Sequence, residues 1–85
     1  MTQAFETLGF IRKRALCELW GIGETKVDQD EAAGLLPKRI MLSPRVSGWL
    51  PSEIAAVRQA IAAGKSLEER RALVKQLEAQ RKQAA

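Results

Sequence analysis

The chain has no histidine and a single cysteine, Cys17. Without histidine, no His-based acid–base pair or catalytic triad can be assembled. One cysteine and no histidine cannot make a zinc site of the usual nitrogen–sulfur type. The lone cysteine excludes an internal disulfide, and with no histidine to activate it, Cys17 reads as a buried structural thiol. There is no secretory signal and no long apolar run, so the expected location is the cytoplasm, with no membrane partner. Aromatic residues are few, at 5% of 85, and much of the 46% hydrophobic content is alanine. That balance predicts one domain with a thin, mostly helical core, to which partner binding or self-association would add stability. Two short motifs fail on their spacing. Gly64-Lys65-Ser66 resembles the end of a P-loop, but Gln59 stands where the first glycine belongs, and the run follows a helix instead of a strand. The acidic cluster at 28–31 lacks the length and ordered spacing of an EF-hand loop. Neither an enzyme activity nor a cofactor is expected.

What is present is basic charge. The formal net charge is +4 and the pI about 9.7, a balance that favours a polyanionic partner. The charge is unevenly spread. Residues 24–34 set Lys26 against Glu24, Asp28, Asp30 and Glu31. Residues 35–50 carry Lys38, Arg39 and Arg45 with no acid, and residues 64–85 carry six bases against Glu68, Glu69 and Glu78.

Residues 1–9 read as a loose arm, with Phe10 and Ile11 the first anchored positions. A short helix is predicted from Arg12 to Trp20, where Leu16, Leu19 and Trp20 share one face by their i, i+3, i+4 spacing. Gly21 and Gly23 end it, with Ile22 between them as a core plug. A second helix runs from Glu24 to Ala33 and is closed by Gly34. Helix, glycine-containing turn, helix is the outline of a helix-turn-helix, whose second helix presents its N-terminal side chains to base edges in the major groove. Those residues would be Glu24, Thr25, Lys26 and Gln29. Only Val27 is clearly apolar, and Asp30 and Glu31 stand where core-facing residues are expected. A solvated acidic turn is the alternative reading.

The stretch LLPKRIMLSPRVSGWL, Leu35 to Leu50, reads as two short strands joined by a turn at Ser43-Pro44. Period-two alternation puts Ile40 and Leu42 on one face and Arg39 and Met41 on the other. Gly48 suits a bulge or a close backbone approach. A basic hairpin on a small domain is a natural phosphate-contacting device, and an ordinary hairpin with a solvated face is the plain alternative. Pro51 and Ser52 then open a third helix to about Ala63, with Glu53 suited to its N-terminal dipole and Ile54, Val57 and Ile61 as its apolar stripe. Ser66 and Glu69 form a capping box for a fourth helix from Leu67 to about Arg81, with Leu73, Val74 and Leu77 on one face. The final QAA should fray.

Several of these pieces match one family in order and spacing. They are Ile11, GIGETKV (21–27), Gly34-Leu35-Leu36-Pro37 and RIMLSPRVSGWLPSEI (39–54). Within them, Gly34, Pro37, Arg45, Gly48, Trp49, Ser52 and Glu53 meet the family pattern, and 61–82 looks like its C-terminal extension. The chain resembles the AlpA-like prophage regulators and their excisionase relatives, small winged-helix DNA-binding proteins. The resemblance implies a mainly α fold with a small β-hairpin, a winged helix-turn-helix over residues 10–63. A C-terminal amphipathic helix over 64–85 would pack on that domain or extend from it.

The resemblance also implies sequence-specific binding of double-stranded DNA, with Thr25, Lys26 and Gln29 at the major groove. Lys38, Arg39, Ser43 and Arg45 of the wing would lie near phosphates or the adjacent minor groove. Such proteins act in mobile genetic elements. Some are excisionases, or recombination directionality factors, which bend DNA or assemble along it to bias an integrase (a tyrosine recombinase) toward excision. Others regulate transcription from a promoter operator. A protein-interaction module that no longer reads DNA is the third reading. The chain departs from the family pattern at Asp28, Asp30 and Glu31, where similar proteins have an aromatic and two apolar residues. An acidic helix is repelled by phosphates, so this edge is expected to meet a basic surface, the wing or the fourth helix, of a neighbouring subunit on DNA.

Overall fold

A computed structural model describes residues 9–84. Among the described residues there are four α-helices and one two-stranded antiparallel sheet. In chain order they are α1 (Lys13–Trp20), α2 (Glu24–Ala32), β1 (Ile40–Ser43), β2 (Val46–Gly48), α3 (Pro51–Ala62) and α4 (Leu67–Ala84). This mainly helical fold with a hairpin is compatible with a small helix-turn-helix carrying a wing. The arm expected at 1–9 lies outside the described residues apart from Gly9. No described helix is long and apolar enough to cross a membrane.

Each helix end follows from its local sequence. α1 stops at Gly21, whose φ of 66° is in the left-handed region that only glycine enters freely. Ile22 N–H then closes back on the Cys17 carbonyl at 3.1 Å. α3 begins with Pro51, where the missing N–H would have been unpaired in any case. α4 begins with the expected capping box. Ser66 N–H donates to Glu69 Oε1 at 2.8 Å, and Glu69 N–H donates to Ser66 Oγ at 3.1 Å. α4 continues three residues past the expected Arg81, and Gln83 and Ala84 of the QAA tail are still helical.

The core is thin and collected from every part of the chain. Leu16, Val27, Leu36, Trp49, Ile54, Val57 and Val74 form one buried cluster, with Ile11, Cys17, Trp20, Ile22 and Leu77 packed around it. Trp49 is fully buried, and its indole N–H donates to the Pro37 carbonyl at 2.6 Å. Its backbone exchanges two hydrogen bonds with Ile11, at 2.8 and 2.9 Å, so residue 11 pairs beside β2 as an isolated bridge. Gly48 is where these segments come closest. A Cβ there would lie 2.8 Å from the Ile11 carbonyl oxygen.

Two apolar stripes differ from expectation. Helical spacing places Leu19 on the inner face of α1 and Ile61 on that of α3, yet they are 65% and 43% exposed. At about 100° per residue, Leu19 lies on the side of Leu16 away from Cys17 and Trp20, which keep the core-facing side of α1. Ile61 stands in the last turn of α3, beyond the buried Ile54 and Val57. Cys17 is half-buried against the core rather than sealed within it.

The hairpin also breaks the expected alternation. Ile40 pairs with Gly48 and Met41 with Ser47, but Ser43 pairs with Val46, so Leu42 is an extra residue on β1. Neither Pro44 nor Arg45 has a positive φ. The turn is therefore not one of the primed types whose twist matches a hairpin, and the added residue absorbs the mismatch. Met41 and Leu42 are both exposed as a result, and Arg39 precedes the strand instead of sharing a strand face with Met41.

Candidate nucleic-acid interface

The second helix is organised by what its acids touch. At about 100° per residue, Val27 points into the core, and Thr25, Gln29 and Ala32 form the opposite, exposed row. The acids leave that row on both sides. On one side Asp28 and Glu31 reach Arg39. Arg39 donates Nη2–H to Asp28 Oδ1 and to Glu31 Oε1, both at 2.8 Å, and its Nε–H contacts both Glu31 oxygens at 3.1 Å. Arg39 also gives its backbone N–H to Glu31 at 2.7 Å, and its guanidinium lies 5.1 Å from the centre of the Trp49 ring. Lys13 of α1 adds contacts to Glu24 at 3.5 Å and to Asp28 at 3.4 Å. On the other side Asp30, almost fully buried, pairs with Lys26 at 3.0 Å.

The electrostatics follow from these contacts. Hydrogen bonding to Arg39 holds the Asp28 carboxyl below its usual range. Glu31 is held low as well: burial pushes it up, and the Arg39 hydrogen bonds more than offset that. The Arg39 guanidinium is correspondingly fixed in its charged form, chiefly by its hydrogen bonds to Glu31. Three bases from the chain itself, Lys13, Lys26 and Arg39, stand against the four acids of α2. Within the chain, the acidic edge expected to meet a neighbouring subunit is already engaged by these basic side chains.

The sequence-predicted residues therefore divide. Thr25 and Gln29 lie together on the exposed row of α2, and Ser43 and Arg45 are exposed at the hairpin tip. Lys26 flanks the helix in its pair with Asp30. Arg39 is not at the exposed surface of the hairpin; it joins the start of β1 to α2. Lys38 is exposed at the hairpin base, where its backbone is held by the last helix. Its N–H donates to Glu78 at 2.8 Å, and its carbonyl accepts from Arg81 Nη2 at 2.9 Å. Among the described residues, Lys38 and Arg45 have no carboxylate within salt-bridge distance.

α4 is the part of this arrangement whose role the sequence concealed. Arg81 also pairs with Glu53, its Nε–H donating to Oε2 at 2.8 Å, and that pairing keeps the guanidinium charged. Glu53, read as a dipole partner at the start of α3, is 4% exposed and serves as the buried acceptor for Arg81. Arg71 Nε–H donates to the Ala33 carbonyl at 3.0 Å, at the C-terminal end of α2. One helix thus holds both the end of α2 and the base of the hairpin. The spacing of Arg71 and Arg81 on a basic helix was the available signal, but their acceptors lie far away in sequence. In comparison with known proteins, the chain matches no family model, and no curated protein or solved structure is significantly similar to it.

Proposed function

We propose that this chain is a sequence-specific DNA-binding protein of a mobile genetic element, a winged helix-turn-helix that binds attachment-site DNA and biases an integrase toward excision. The observation that carries the DNA-binding part is the neutral outer row of α2. An acidic helix is a poor ligand for a polyanion, but here Asp28, Asp30 and Glu31 are turned aside into ion pairs. Thr25 and Gln29 remain outward, with side chains whose donors and acceptors suit base edges. The neighbouring hairpin adds Lys38 and Arg45, which have no ion-pair partner among the described residues, on a stretch without acids, a set suited to phosphate contact. In this reading Arg39 serves by position, fixing the wing beside α2, and Lys26 contributes from the flank. The family resemblance supplies excision control, with regulation from a promoter operator as the alternative within the same family.

The test is a titration of DNA by gel shift and sedimentation, with attachment-region fragments of increasing length. A ladder of complexes that tightens cooperatively with length is the expected result. A single saturating complex of fixed stoichiometry would replace excision control with operator binding, and no binding at low salt would remove the DNA reading altogether.

A further inference from the structure

On the flank of α2 away from Arg39, an open groove of about 410 Å³ runs between α1, α2, α3 and α4. Its apolar lining is Leu19, Trp20, Ile22 and Ile61. These include the two side chains left exposed on α1 and α3, Leu19 and Ile61. Its rim is basic. Lys26, Arg58 and Arg70 face a single acid, Asp30, which is already engaged by Lys26 at 3.0 Å. Among the described residues, Arg58 and Arg70 have no carboxylate within salt-bridge distance. Two N–H groups of lining residues, Trp20 Nε1 and Arg70 Nε, are covered from solvent and have no acceptor among the described residues. Buried donors are normally paired, because leaving one unmet costs about 1–3 kcal/mol.

We propose that this groove is the docking site for an acidic amphipathic helix of a partner protein. The apolar lining takes the hydrophobic stripe of such a helix, and Arg58 and Arg70 take carboxylates from its flanks. A helix suits the site better than a strand because the walls are helices and offer no free sheet edge. Two copies of this chain facing each other through the groove would oppose like-charged rims, so a second copy is the wrong occupant. The groove opens beside the outer row of α2 and leaves Thr25 and Gln29 uncovered. The inference therefore does not depend on DNA binding.

The test uses the full chain and a fluorescent synthetic helix of about 18 residues, five turns, with leucines at i, i+3, i+4 and i+7 flanked by glutamates. A control peptide replaces every glutamate by lysine. Anisotropy should show the acidic peptide binding at least about tenfold more tightly than the control, a difference of roughly 1.4 kcal/mol. Arg58→Glu and Leu19→Ser each alter an exposed side chain and should each weaken binding about tenfold or more, with unchanged circular dichroism and melting. In ¹⁵N–¹H spectra the Trp20 indole resonance should shift on binding, whereas that of Trp49, bonded to Pro37, should not. Equal binding of the two peptides, or indifference to both substitutions, would overturn the proposal. So would concentration-dependent dimerisation abolished by Leu19→Ser, which would make the groove a self-association surface. A Trp20 shift produced by a small carboxylate such as benzoate but not by the peptide would overturn it in favour of a small-molecule site.

Discussion

Replacing Arg81 by leucine should be the most damaging single change on the surface of α4. The guanidinium is the charged partner of Glu53, a carboxylate 4% exposed at the start of α3, and it also meets the Lys38 carbonyl. Removing one partner of a buried ion pair leaves the other charge without compensation, at a cost of about 3–5 kcal/mol. Arg81 itself retains some contact with water, so the lower end, about 3 kcal/mol, is the working figure. A chain of this length is stable by roughly 4–13 kcal/mol in all. At about 4–8 °C per kcal/mol, the melting temperature should fall by roughly 12–24 °C. Glu53→Leu should cost less, because the orphaned Arg81 keeps its bond to Lys38 and its access to solvent. The Glu53→Leu/Arg81→Leu double variant should be more stable than Arg81→Leu alone, since it removes both charges. The assay is urea and thermal unfolding of all four proteins as a double-mutant cycle. Simple additivity of the two single losses, or an Arg81→Leu loss below about 1 kcal/mol, the range of an exposed pair, would refute the reasoning.

Gly48→Ala forces a methyl group to within 2.8 Å of the Ile11 carbonyl oxygen. It should destabilise the fold by about 1–3 kcal/mol, seen as a lower urea midpoint and faster exchange of the Ile11 and Trp49 amides. Asp28 and Glu31 have folded-state pKa values depressed by Arg39. Their stabilising contribution is present above the unfolded carboxylate values near pH 4 and is lost as the pH falls through the folded values, because there the unfolded chain binds more protons. Arg39→Met should therefore flatten the loss of stability on acidification, and parallel pH profiles for the two proteins would contradict that. Ser66→Ala removes the cap of α4 and should cost about 1 kcal/mol in thermal unfolding, whereas Ser66→Asp should be nearly neutral. Arg45→Ala should weaken DNA binding. Contact with one phosphate predicts a salt slope reduced by about one unit and an equal loss on all sequences. Entry into a narrow minor groove predicts a loss that depends on local A·T content.

The elements with local signals were legible in advance. Gly21 and Gly34 marked the helix ends, Pro51 and the Ser66–Glu69 box marked helix starts, and Ser43-Pro44 marked the turn. The inward placement of Asp30 and Glu31 followed from helical spacing, although their partners did not. Glu31 finds Arg39 across a glycine turn, and Glu53 finds Arg81, 28 residues further along the chain. Such pairings are set by tertiary packing, which residue spacing along one element does not encode. The same limit explains Leu19 and Ile61. Periodicity shows that side chains share a helix face, but not how wide that face is or how far along the helix it remains covered. Of the candidate interface, the exposure of Thr25, Gln29, Ser43 and Arg45 agrees with the sequence reading. The internal engagement of Arg39 does not.

The bridge between Ile11 and Trp49 bears on the order in which the chain can fold. Its partners lie 38 residues apart, by subtraction of their numbers, and loop closure must precede the reward from such a contact. Ahead of that closure, α1 and α2 have mainly Leu16 and Val27 to bury against one another. The helix pair therefore gains its full cover only when the hairpin lays Trp49 against it and Val74 of α4 joins the same cluster. The cover of the first two helices is thus supplied by segments that follow them in the sequence.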